Sequence, residues 1–191
     1  MNGQVLDWLY GVLVSPVETF RTVAREKPVG AAVLLIFSVT VLQAAATSPL
    51  GASAMQAFEI ELSRAWIIAG SSALSFFGSL VGILIVYGTS ALFRPSGDLA
   101  GTLSAIGFSQ FPTLFGIPAS LLSRTPGVGF LGGLISFGVG IWTLVLAVMA
   151  LRESRGLSTG KSILSYVITG IVLALVVGSL IVAVVLLTSV L

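Results

Sequence analysis

Apolar residues run along this chain in five long blocks separated by short knots of charge. No Asp, Glu, Lys or Arg occurs in residues 28–58, 65–93, 99–123, 125–151 or 162–191. Each block is 25 to 31 residues long, and a helix needs about 20 mainly apolar residues to cross roughly 30 Å of hydrocarbon. Each block therefore holds one crossing and leaves no room for two. Lys27-Pro28 opens the first span, 29–48, and Ser48, driven away from helical geometry by Pro49, is expected to close it. The second span, 65–93, has Trp66 at one interface and Tyr87 towards the other; its length implies tilt or an extramembrane turn. The third, 99–122, carries Pro112 and Pro118, which predict a kink or break. The fourth, 128–151, is rich in glycine, and the fifth, 163–189, is Val, Leu, Ile and Ala around Gly170 and Gly178.

Residues 1–27 follow a different period. Val5, Trp8, Leu9, Val12 and Leu13 fall on one helical face. Ser15-Pro16-Val17-Glu18 then predicts a new helix, with serine as N-cap, proline at the first helical position and glutamate closing a capping box. That helix turns Val17, Phe20, Val23 and Ala24 towards apolar material, and Arg21 and Arg25 towards water or lipid phosphate. The pair reads as an interfacial helical hairpin on the membrane surface or, equally, as a cap packed on the end of the bundle. With no basic start and no small-residue cleavage site, it does not read as a secretory signal. The fold class is thus an all-α polytopic membrane protein, with five transmembrane helices (28–191) preceded by a short interfacial helical hairpin (1–27).

Composition agrees. The 191 residues are 56% hydrophobic and 8% charged, with a mean hydropathy of +1.11, whereas soluble domains carry roughly 25% charge. Cysteine and histidine are absent, which removes zinc sites, thiol chemistry and a Ser-His-Asp triad. A net charge of +2 is too small for a nucleic-acid surface, and no cofactor is expected. Five crossings put the chain ends on opposite sides. With the N-terminus cytoplasmic, that side holds Arg21, Arg25, Lys27, Arg94, Arg152, Arg155 and Lys161, and the far side holds Arg64 and Arg124. Seven against two satisfies the positive-inside rule and places Leu191 outside.

Few residues offer chemistry. Residues 156–162, Gly-Leu-Ser-Thr-Gly-Lys-Ser, miss the phosphate-loop spacing by one residue and lack the preceding strand. They read better as a helix stop at Gly156 and a helix start at Ser158 or Thr159. No ionisable residue lies at mid-depth, which weighs against a proton-coupled carrier. The deep amides are Gln43 in the first span and Gln110 in the third; Gln110 beside Phe111-Pro112 is a candidate polar site at a kink, because proline frees a carbonyl, and an ordinary interhelical hydrogen bond is its plainer reading. Glu59, Glu61 and Arg64 form a charged turn on the far side. Arg21, Arg25, Arg94, Asp98, Arg152, Arg155 and Lys161 form a candidate cytoplasmic patch for lipid headgroups or a partner, with Glu153 beside them. Small residues four apart, including Gly78 and Gly82, Gly129 and Gly133, and Gly170 and Gly178, allow close helix packing within the chain or between copies.

Several segments together resemble the Yip1 family of small polytopic membrane proteins. Residues 15–20, Ser-Pro-Val-Glu-Thr-Phe, are similar to the start common in prokaryotic members. Residues 94–99, leading through Phe108 to Phe111-Pro112, are similar to the family's loop and proline-bearing third span. Residues 141–146 and 151–161 are similar to its late tryptophan and Leu-Arg-Glu…Gly-Leu-Ser-Thr-Gly-Lys motifs. The resemblance implies five helices and a cytoplasmic N-terminus. Eukaryotic members are associated with small GTPases and vesicle traffic through long N-terminal regions; fewer than thirty residues precede the first span here, which disfavours a GTPase partner. The likeness is greater to bacterial or archaeal members, in a cell membrane.

The residues and the resemblance together predict a non-enzymatic membrane protein that organises membrane or scaffolds partners. Its expected partners are lipids and a second copy or another membrane protein. The alternative is a lipid or small-molecule conduit through the broken third span.

Overall fold

The computed structural model of this chain describes residues 2–56 and 63–190, and these are helical throughout apart from short connections. The helices are α1 (Asn2–Val14), α2 (Pro16–Glu26), α3 (Val29–Gln56), α4 (Arg64–Ser90), α5 (Leu99–Ser109), α6 (Gly116–Leu122), α7 (Gly129–Arg155) and α8 (Thr159–Val190). Tight 3₁₀ turns at Ala91–Phe93 and Phe111–Phe115 follow α4 and α5. Among the described residues, five runs are long and apolar enough to cross a membrane: Val29–Ser48, Arg64–Phe93, Leu99–Leu122, Gly129–Arg155 and Thr159–Ala183. The last two extend past the expected limits towards each other, because α7 continues through Leu151-Arg152-Glu153-Ser154-Arg155 before Gly156 stops it.

The N-terminal hairpin packs on the bundle. Val12, Phe20 and Val23 are fully buried, and the Trp8 ring meets Phe108 of α5 edge-on at 5.6 Å. Helix α2 lies across α5 and α7, while Leu6, Tyr10 and Val14 on the opposite face of α1 remain exposed. The start of α2 departs from the expected capping box. Ser15 makes no side-chain cap. Its backbone sits at φ −139° and ψ 64°, and its carbonyl accepts from both the Thr19 N–H and the Thr19 hydroxyl, at 3.1 and 3.0 Å. Pro16 does occupy the first helical position.

The first crossing keeps its expected limits, Val29–Ser48, but Pro49 does not end the helix there, contrary to expectation. Helix α3 runs on to Gln56 because the acceptors near the proline find other donors. Proline cannot donate to the carbonyl four residues back, and the Ser48 hydroxyl serves Ala45 O at 3.0 Å. Arg124 donates to the next carbonyl, Ala46 O, at 2.8 Å, and Arg64 Nε reaches Ser48 Oγ at 2.9 Å. Both arginines thereby dock on one end of α3. Glu59 and Glu61, expected beside Arg64, lie outside the described residues.

The third span is broken, as Pro112 predicts. Helix α5 stops at Ser109, the 3₁₀ turn holds Pro112 buried, and α6 resumes at Gly116. Gln43 of α3 donates to the Thr113 carbonyl at 2.7 Å, satisfying an acceptor inside the break. Phe115 stacks on Trp142 of α7, centroids 6.0 Å apart. Helix α5 itself is the central strut, buried almost throughout. A Cβ at Gly101 would lie 2.6 Å from the Ala24 carbonyl, and one at Gly107 would lie 2.9 Å from the Ala32 Cβ. These two glycines let α2 and α3 reach α5.

Candidate functional site: the charged end and its grooves

The polar chemistry concentrates at one end of the bundle, where α2, the segment 94–98 and the α7–α8 corner meet. Glu153 is its hub. Arg21 donates to Glu153 Oε2 through Nε (3.1 Å) and NH2 (2.9 Å), and Arg152 reaches Oε1 at 2.7 Å. The carboxylate side chain is only 10% exposed, whereas Arg21 is 52% exposed, so Arg21 closes over Glu153 from the solvent side. Lys27, held in a left-handed turn (φ 52°), pairs with Asp98 at 2.5 Å. Asp98 also caps α5, accepting the Gly101 N–H at 2.9 Å. The Lys27 ammonium and then that N–H hold the Asp98 carboxyl below its ordinary value of 3.8.

Arg155 is the internal counterpart of these surface pairs. It is 3% exposed. Its Nε donates to Ser90 Oγ at 3.1 Å, NH1 donates to the Gly97 carbonyl, and the guanidinium lies 4.0 Å from the centre of the Tyr87 ring. A buried charge requires such compensation; here a π face, a hydroxyl, a carbonyl and the C-terminal end of α7 provide it. Around it the backbone is tight. Ser96 N–H donates to Arg155 O at 3.1 Å, Gly97 presses against the Ser154 carbonyl, and Gly156 closes α7 at φ 62°. Ser158 Oγ accepts the Lys161 N–H at 3.4 Å to start α8.

Two spaces open at this end and a third lies deeper among the spans. A polar groove of about 620 Å³ lies between α2, residues 96–98 and the end of α7, with Arg21, Arg25, Lys27 and Arg152 against Asp98 and Glu153 in its walls. An apolar groove of about 520 Å³ runs between α7 and α8 below it, and Arg152 lines both. A third space of about 310 Å³ lies within the spans among α4, α5, α7 and α8, with Gln110, Ser79 and Thr169 among its walls.

The residues singled out from the sequence fall into distinct places. Arg21, Arg25, Asp98 and Arg152 line the polar groove. Arg155 lies behind it as a buried brace, and Arg94 and Lys161 are exposed outside it. Gln110 lines the intramembrane space, and Gln43 makes the interhelical bond at the break. Gly129 packs on the Ser123 carbonyl at 2.7 Å, but Gly78, Gly82, Gly133, Gly170 and Gly178 have no atom of this chain within 4 Å of an added Cβ. Lys27, Gly97, Gly101 and Gly107 carry contacts that spacing did not single out. Only Asp98 immediately before a helical run could have pointed to the α5 cap.

Fold and polar end together define a multi-pass helical membrane protein with one braced, charged end. The Yip1 domain model matches residues 10–186, nearly the whole chain, and the chain belongs to that family. No curated protein and no solved structure matches this chain.

Proposed function

We propose that this protein is a non-enzymatic scaffold in a cell membrane, its charged end in the cytoplasm, gathering copies of itself or other membrane proteins along its open helix faces. The orientation rests on the basic residues. Arg21, Arg25, Lys27, Arg94, Arg152, Arg155 and Lys161 lie towards the hairpin end, and Arg64 and Arg124 towards the other, so the positive-inside rule puts the hairpin in the cytoplasm.

One observation carries the scaffolding role: the small-residue faces that permit close helix approach are turned outward. Gly78 on α4, Gly133 on α7 and Gly178 on α8 have nothing of their own chain within 4 Å of an added Cβ, whereas Gly82 and Gly170 border the space among α4, α5, α7 and α8. Such positions let a second backbone come near and pack in lipid, where apolar burial gives little drive. Leucine at Gly78 and Gly133 should lower the amount of oligomer or co-purified membrane protein on native gels while leaving thermal stability near that of the parent chain. An unchanged assembly would refute the role.

The space around Gln110 favours a second reading, a conduit for lipid or a small molecule. In that case purified protein in vesicles should accelerate transbilayer movement of a fluorescent phospholipid, and Gln110→Leu should slow it.

A further inference from the structure

We propose that the groove between α7 and α8 is a binding site for an anionic phospholipid, with an acyl chain along the groove and the phosphate on Arg152. The argument begins with the two walls. Val145, Val148 and Arg152 recur at i, i+3 and i+7 on α7, and Thr159, Ile163 and Val167 at i, i+4 and i+8 on α8, so each set forms one stripe of its helix. The stripes face one another across a space of about 520 Å³ and are apolar except at one end. Tyr166 bridges the helices within it, its hydroxyl donating to Ala147 O at 3.2 Å. The groove belongs to the spans Gly129–Arg155 and Thr159–Ala183, so its length lies at hydrocarbon depth and its polar end at the level of headgroups.

Arg152 makes the groove selective. Its Nε and NH2 donate to Glu153 Oε1 at 2.8 and 2.7 Å, and its NH1 to Thr159 Oγ1 at 3.2 Å. A guanidinium has five N–H donors, so two remain for a phosphate, and the Thr159 hydroxyl keeps its own proton to donate. The same Arg152 borders the polar groove, whose four basic side chains outnumber its two acidic ones. An apolar channel therefore joins a net positive recess at a single arginine. Charge complementarity selects an amphiphile with an anionic head, and the membrane supplies one as phospholipid. The site requires no scaffolding activity.

The test is lipid retention. The full chain is reconstituted in nanodiscs holding equal phosphatidylglycerol and phosphatidylcholine, extracted in mild detergent, and its bound lipids are measured by native mass spectrometry. The parent chain should retain phosphatidylglycerol in preference to phosphatidylcholine. Arg152→Gln should lower that preference about tenfold, the scale of a lost charge-assisted hydrogen bond. Val148→Trp, which fills the groove and leaves every charge in place, should lower it comparably, and Arg124→Gln at the opposite end should not. Retention of the two lipids in equal amounts by the parent chain would overturn the proposal. So would an undiminished preference in Val148→Trp, since the charge alone would then explain it.

Discussion

Arg155 and Asp98 illustrate opposite uses of charge within a few ångströms of the same loop. Arg155 is buried and fixed by the Ser90 hydroxyl, the Gly97 carbonyl and the Tyr87 ring; its planar fork matches partners in several directions, which a lysine cannot do. Arg155→Lys should therefore lower the melting temperature in detergent nearly as much as Arg155→Ala, whereas Arg94→Lys should leave it unchanged. Asp98 is solvent-exposed, and its contribution depends on pH. Its carboxyl titrates below 3.8 in the folded chain because Lys27 and the Gly101 N–H favour the anion. A depressed carboxyl stabilises the folded state in full above the unfolded value and loses that contribution as pH falls through the folded value. Thermal melts of the parent chain should thus weaken as pH drops below about 4. Asp98→Asn, which retains an acceptor for the α5 cap, should flatten that part of the profile and remain more stable at neutral pH than Asp98→Ala.

At the scale of the element, the N-terminal hairpin shows what a helical period reveals and where it stops. The face carrying Val5, Trp8 and Val12 was legible in the spacing, and so was the face carrying Phe20 and Val23. What that face would touch was not, because lipid and a protein interior are equally apolar. The structure places the Trp8 ring against Phe108, in a buried core that Phe20 shares. Phe20→Ala should then cost about 3–5 kcal/mol, as for a buried aromatic truncation. It should raise hydrogen exchange across residues 2–26 first, with α3 and α4 still protected. Exchange that rises only when lipid is removed would instead mark a hairpin held by the membrane. Proline divided in the same way. The Pro112 break was readable, since α5 does stop there. Pro49 was misleading, because the Ser48 hydroxyl and Arg124, close in space and distant in sequence in one case, take up the carbonyls beside it. Glycine spacing likewise told that a backbone approach was possible at Gly82 or Gly129, and only the fold distinguishes the glycine that meets the Ser123 carbonyl from the one with nothing of this chain within 4 Å of an added Cβ.

For the whole molecule, charge and hydropathy sort the chain into five crossings before any contact is considered, and those crossings stand in the structure. The polar end was legible as a list of side chains in two loops and one helix. Its internal order was not, because which arginine meets Glu153 and which is buried under Tyr87 depends on how α2 lies across α7. The proposed orientation has its main consequence in parity: with five crossings, the hairpin end and the end of α8 face different compartments. Because the chain has no cysteine, single cysteines report this without background. Gly3→Cys, Arg94→Cys and Lys161→Cys in sealed cells should resist an impermeant maleimide and react only after the membrane is opened, while Thr125→Cys and Thr188→Cys should react at once. Equal labelling of Gly3→Cys and Thr188→Cys from one side would contradict five crossings and the orientation built on them.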